Sequence, residues 1–187
     1  AQTQRAIDNF PISGISMNFP FTNTFISMLG YVKDAAARAN KNLKLLEAKK
    51  QRVISRAAKE VSTNKHGKEF PIDVFQTGSG TSTNMNANEV IANLASKKLD
   101  EVVSPNDDVN MSQSSNDTIP TAICISALLD MEELLLPGLD ILIKEMDTKA
   151  KKLKGTIKTG RTHLMDAMPI DFAQEISGWS AQLKSSK

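Results

Sequence analysis

Cysteine and histidine are scarce in this sequence, and each scarcity excludes something. Cys124 is the single cysteine among 187 residues, so no disulfide can form within the chain. Its place in the apolar run ICISALL marks it as a small core residue rather than a nucleophile. One cysteine and two histidines are too few sulfur and imidazole ligands for a zinc centre, and no metal site is expected. No apolar run is long and clean enough to span a bilayer, so no membrane association is expected. A net charge of +2 provides no basic footprint for nucleic acid. Five lysines crowd into 149–158, where they suit the end of a helix whose dipole favours cations. The sequons at Asn110 and Asn116 are short, common patterns and are discounted. The sequence opens at Ala1 without methionine and stops at Lys187 inside a helical pattern. Both ends therefore read as cuts, and targeting information is not expected within it.

What is present is mostly helical periodicity. Residues 1–21 carry Pro11, Gly14 and Pro20 and read as an irregular lead-in. Thr22 or Asn23 can cap a helix over 22–40, with Phe25, Leu29, Val32 and Ala36 on one face. A second helix is expected over 43–62, followed by a short extended segment, FPIDVFQ (70–76). After the turn GSGT (78–81), Thr81, Ser82 or Thr83 caps a helix over about 84–98. A polar loop (100–116) precedes a long helical stretch over 117–153, which Pro137-Gly138 should bend or break. Within it, 119–136 is apolar almost all round. Such a helix is buried on most sides, and a chain of this size has little protein to surround it, so other helices must cover it. Residues 155–170 read as a second polar loop, with a short strand around 156–160. Asp171 begins a last helix.

Three polar segments can carry chemistry: GSGTSTNMN (78–86), SQSSND (112–117) and GRTH (160–163). The first two run directly into helices. A helix start presents unpaired N–H groups and partial positive charge, a natural anion site. Hydroxyl and amide side chains add neutral hydrogen bonds. Two such starts facing one cleft would suit a small dicarboxylate. Taken singly, Ser, Thr and Asn before a helix are usually only caps. GSGT lacks the Lys-Ser/Thr of a phosphate loop. His66, in NKHGKE, reads as a surface residue. His163, beside Arg161 and Thr162 in a polar loop, is suited to moving a proton or holding a water.

Four stretches in order, AQTQRAIDNFPISG (1–14), QTGSGTSTNMNANEVIANLA (76–95), PNDDVNMSQSSNDTIPTA (105–122) and GRTHLMDAMPIDFAQEISGW (160–179), resemble the fumarase/aspartase superfamily. They are most similar to its class II fumarases. Ser114-Ser115-Asn116 and Thr77-Gly78-Ser79-Gly80 favour fumarases over aspartases. The resemblance implies a mainly α fold, with an N-terminal helical domain (1–112) and the opening helices of a central helical bundle (113–187). It implies reversible anti addition of water to fumarate, giving (S)-malate, without a cofactor. By the same resemblance Ser79, Thr81, Ser114, Ser115 and Asn116 bind carboxylate, and Asn84 supports them. Thr162 and His163 lie beside the substrate, with His163 positioning the water. Asn106 and Asp107 belong to an accessory anion site, but Ser104 stands where many class II fumarases have histidine.

Family subunits are much longer. They carry, further on, a GSSxMPxKxN loop whose serine is the usual candidate for the base, and no such loop occurs in these 187 residues. They assemble as homotetramers whose active sites draw on three subunits. The resemblance thus implies a fragment that is inactive alone, from a cytoplasmic enzyme, or a mitochondrial one in a eukaryote. The competing readings are an aspartate ammonia-lyase and a non-catalytic assembly fragment.

Overall fold

The computed structural model of the chain describes residues 1–18 and 23–187. Among them are seven α-helices and one two-stranded antiparallel sheet. The fold is mainly α, as expected. Two units form, Ala1–Leu128 and Leu129–Lys187.

In the first unit, α1 (Gln2–Asn9), α2 (Asn23–Asn42), α3 (Ala48–Ser62), α4 (Thr81–Leu99) and the start of α5 (Ser115–Asp130) surround an aliphatic core. Leu29 of α2, Ile54, Ala57 and Ala58 of α3, and Ala87, Ile91 and Ala95 of α4 are fully buried. Helix α2 lies against α3, and α3 against α4. The α2–α3 crossing depends on Gly30. A Cβ there would sit 2.7 Å from the Ala58 carbonyl oxygen and 2.7 Å from the Ser62 nitrogen, both backbone atoms that cannot swing aside. Gly30→Ala is therefore expected to destabilise the unit by about 1–3 kcal/mol, the usual range for overpacking. A lower urea midpoint with unchanged slope is the expected reading. A raised midpoint, as Gly→Ala gives where a side chain fits freely, would contradict this crossing.

Several elements differ from expectation. Helix α1 forms inside the stretch read as irregular, because a distant carboxylate caps it. Glu89 of α4 accepts from the Ala1 ammonium at 2.8 Å, from the Gln2 and Thr3 N–H groups at 2.7 and 3.0 Å, and from the Thr3 hydroxyl at 2.6 Å. Burial opposes its ionisation, but these donors outweigh burial and hold it down to about 2. The candidate cap Thr22 lies outside the described residues. Helix α3 starts at Ala48 rather than 43, because Lys44 takes a left-handed conformation (φ 62°) that interrupts the helical path. Among the described residues the 70–76 segment makes one isolated bridge, Ser16 to Asp73. Asp73 also accepts from the Ser13, Gly14 and Phe75 N–H groups at 2.7, 3.0 and 2.8 Å. Burial raises this carboxyl, and the hydrogen bonds more than reverse that, lowering it to about 2.

The helical stretch near Pro137 is broken just before that residue. Helix α5 ends at Asp130, a π turn spans Met131–Leu135, and α6 is Leu136–Lys152 with Pro137 in its first turn. Proline has no N–H and its ring crowds the carbonyl four residues back. A wider turn before it accommodates both demands. Cys124, expected in the core, is exposed. It shares that exposure with Ile123 (52%) and Leu128 (53%) on α5.

In the second unit, α6 packs on α7 (Phe172–Ser186). The short strand expected around 156–160 is β1 (Ile157–Thr162), but the rest of 155–170 is not the loop expected: β2 (Met165–Asp171) pairs with β1 in a hairpin. Asp171 caps α7 as expected, in a capping box with Gln174: its carboxylate accepts from the Ala173 N–H, and the Gln174 amide oxygen from the Asp171 N–H.

Candidate functional site

The first polar segment turns sharply before α4. The Gly80 N–H bonds the Thr77 carbonyl at 2.9 Å, and Gly80 adopts φ +67°. That angle favours glycine, and so does the space: a Cβ would lie 2.9 Å from Ile119 Cγ2 on α5. The loop at 78–80 is thereby pressed against the first turns of α5, bringing the first two polar segments side by side. Gly80, not Thr81, Ser82 or Thr83, occupies the cap position of α4. The capping oxygen comes from Gln76, whose amide accepts from the Thr83 N–H at 2.9 Å and the Thr83 hydroxyl at 2.8 Å. The Thr83 hydroxyl is thus engaged, whereas Ser79 and Thr81 are exposed, their hydroxyl oxygens 2.9 Å apart.

The second segment opens α5. Ser114 caps it, its hydroxyl accepting from the Asn116 N–H at 3.2 Å and its carbonyl from the Thr118 N–H at 2.9 Å. Ser115 is half-buried, and its Oγ accepts from Asn84 Nδ2 at 2.9 Å. That bond ties the first turns of α4 and α5 directly. Since the Ser115 oxygen is accepting there, its own hydrogen is available to another acceptor. Ser114 and Asn116 are exposed, whereas Asn84 is buried. Ser79, Thr81, Asn84, Ser114, Ser115 and Asn116 therefore gather on one side of the first unit, around two adjacent helix starts. Such a set can donate to an anion through hydroxyl and amide groups and through the positive ends of two helix dipoles. A hollow of about 260 Å3 lined by Ile7, Phe10, Pro11 and Asp73 lies away from these residues and offers no comparable set of donors.

Beneath these residues is a polar layer that sequence reasoning missed. Asn110 Oδ1 accepts from Lys33 Nζ at 3.2 Å, Asn88 Nδ2 at 3.1 Å and Asn84 Nδ2 at 3.3 Å. Lys33 Nζ also donates to Gln113 Oε1 at 2.9 Å. Lys33 is wholly buried, and burial lowers its pKa to about 7. The available signal was a lysine on an otherwise apolar helical face, and asparagines at 84, 86 and 88 in a helix whose other buried residues are small or aliphatic. Asn110, set aside as a sequon, is half-buried with its oxygen in use.

Asn106 and Asp107 are exposed in the π turn Pro105–Val109. Ser104 caps that turn, accepting from the Asp107 N–H at 3.0 Å while its hydroxyl donates to Asp107 Oδ2 at 2.8 Å. At this place the serine serves the turn, and Asp107 presents negative charge. Thr162 and His163 belong to the second unit, where both are exposed. His163 (φ 50°) and Leu164 (φ 61°) form the two-residue turn between β1 and β2. Among the described residues no group of three or more His, Cys, Asp or Glu could hold a metal ion.

Comparison with known proteins gives concordant matches. A protein-family model described as Lyase matches residues 1–187. The chain is 54% identical over 187 residues to a class II fumarate hydratase of Xylella fastidiosa (strain 9a5c), covering 100% of this chain and 39% of that protein. It is 52% identical over 189 residues to one from Halobacterium salinarum, covering 98% and 39%. Among solved structures, fumarate lyase:delta crystallin from Brucella melitensis in native form matches with TM-score 0.88 and 40% identity, over 99% of this chain and 44% of that one. The recombinant class II fumarase from Schistosoma mansoni matches with TM-score 0.84 and 39% identity, over 99% and 40%. The chain thus spans 39% of the length of these curated relatives.

Proposed function

The chain belongs to the lyase family, and from that premise we propose that it supplies the front part of a class II fumarate hydratase subunit, which hydrates fumarate reversibly to (S)-malate. The observation that carries this reading is the Asn84–Ser115 bond, which joins two helix starts into one set of anion donors. A small dicarboxylate suits neutral donors gathered at two helix starts. Ser79, Thr81, Ser114, Ser115 and Asn116 donate to its carboxylates. Hydrogen bonds to the carboxylate next to the carbon that loses its proton strengthen as charge moves onto its oxygens, giving the aci-carboxylate. Thr162 and His163 hold the water. The base comes from chain beyond these residues, so 1–187 binds and orients but does not turn over. We further assign residues 1–112 to an N-terminal helical domain and 113–187 to the start of a central helical bundle. The exposed apolar side chains of α5 are covered by further copies of the subunit, in a homotetramer. The assembled enzyme is assigned to the cytoplasm. Among the described residues no helix is long and apolar enough to cross a membrane.

The test is malate dehydration by the complete subunit and by 1–187, each free of host enzyme. Activity in the former and none in the latter is expected. Thr81→Ala and Ser115→Ala in the complete subunit should each weaken dicarboxylate binding by about 1–3 kcal/mol, as for hydrogen bonds to a charged group. Turnover by 1–187 would mean that the catalytic base lies within it. Ammonia-dependent consumption of fumarate would replace the hydratase reading with an aspartate ammonia-lyase.

A further inference from the structure

The proposed reaction leaves one group beneath the anion site unused: Lys33. A wholly buried ammonium is uncommon unless a carboxylate accompanies it. Here its described bonds run to two neutral amide oxygens, Asn110 Oδ1 at 3.2 Å and Gln113 Oε1 at 2.9 Å. Asn110 precedes the second polar segment and Gln113 lies within it, so the ammonium is fastened to the segment that presents Ser114, Ser115 and Asn116. The chain of contacts continues upward. Asn84 Nδ2 donates both to Asn110 Oδ1 at 3.3 Å and to Ser115 Oγ at 2.9 Å. Three donors on one oxygen fix which way the Asn110 amide faces, and that in turn fixes Asn84.

We propose that Lys33 is a positioning residue of the anion site: through Asn110 and Asn84 it turns the Ser115 hydroxyl hydrogen toward a bound carboxylate and holds positive charge behind it. The inference rests on the reading of these helix starts as a dicarboxylate site. The consequence is electrostatic as well as geometric. Neutral oxygens solvate the ammonium only in part, so the buried cation disfavours the empty site and favours a dianion nearby, where the low dielectric strengthens attraction. Burial lowers the Lys33 pKa to about 7, as for an ammonium taken out of water.

The experiment measures succinate binding to the complete subunit by calorimetry, and fumarate kinetics, for the parent protein, Lys33→Met and Asn110→Ser. Succinate has two carboxylates and cannot react, so binding is read apart from chemistry. Lys33→Met is expected to weaken succinate binding and raise KM by about tenfold or more, the scale of one charge-assisted hydrogen bond. Its kcat should change by less than KM does. Mere misfolding would lower the active fraction and leave KM alone. If Lys33→Met does not fold, Asn110→Ser carries the test, since it cuts the relay while keeping the cation, and should weaken succinate binding in the same sense. Parent-like affinity in the folded variant overturns the role of Lys33 and leaves the dicarboxylate reading intact. No binding of succinate by the parent protein overturns both.

Discussion

Replacing His163 by asparagine in the complete subunit is expected to lower kcat by about 10²- to 10⁴-fold, the range for loss of a group that manages a proton or water in the transition state. KM should move only a few-fold, because the carboxylate donors are on other residues. Asparagine is the informative replacement here. His163 sits at φ 50° in the two-residue turn between Thr162 and Met165. Asparagine is among the few residues at ease in the left-handed region, and hairpin turns of this kind favour it. The backbone should therefore survive the change, and the measurement reports side-chain chemistry. A kcat within threefold of the parent, with the hairpin preserved, would remove His163 from the water-positioning role.

Leu128→Glu is expected to reduce the assembled protein to single subunits and to abolish activity with it. Leu128 is 53% exposed on α5, and Ile123 on the same helix 52%. Exposed large aliphatic side chains on one helix suit an interaction surface. In a symmetric oligomer a single substitution is repeated at every equivalent contact. Burying an unpaired carboxylate at each would cost several kcal/mol. Sedimentation velocity should show the parent as an oligomer and the variant as a folded monomer. An unchanged mass for the folded variant would mean that this face is not what joins the subunits.

The elements legible in the sequence were those whose cause is local. The apolar spacing of α2, α3 and α4 follows a helical period, and Asp171 with Gln174 announces the start of α7 within four residues. The polar segments at 78–86 and 112–117 stood out because hydroxyl and amide residues before a helix have a limited set of uses. The turn at 162–165 was less legible. His163 and Leu164 are poor markers of a hairpin compared with Asn-Gly, so 165–170 read as loop.

The sequence by itself determined that the chain is mainly helical, lacks an internal disulfide and carries two helix starts rich in neutral donors. Periodicity, composition and capping act between residues a few positions apart, so they survive in the order of the letters. The tertiary structure alone decided which helix start a distant side chain would complete. Glu89 caps α1 across 87 positions, and Lys33 reaches Asn110 across 77. It also placed Cys124 outside the core: helical period says that α5 has apolar faces, but packing chooses which of them the chain covers itself. Burial of Lys33 is likewise tertiary, since its bonds run to Asn110 and Gln113, 77 and 80 positions away. An isolated lysine reads as a surface residue, because nothing within a few positions of it records the amide oxygens that take the place of water.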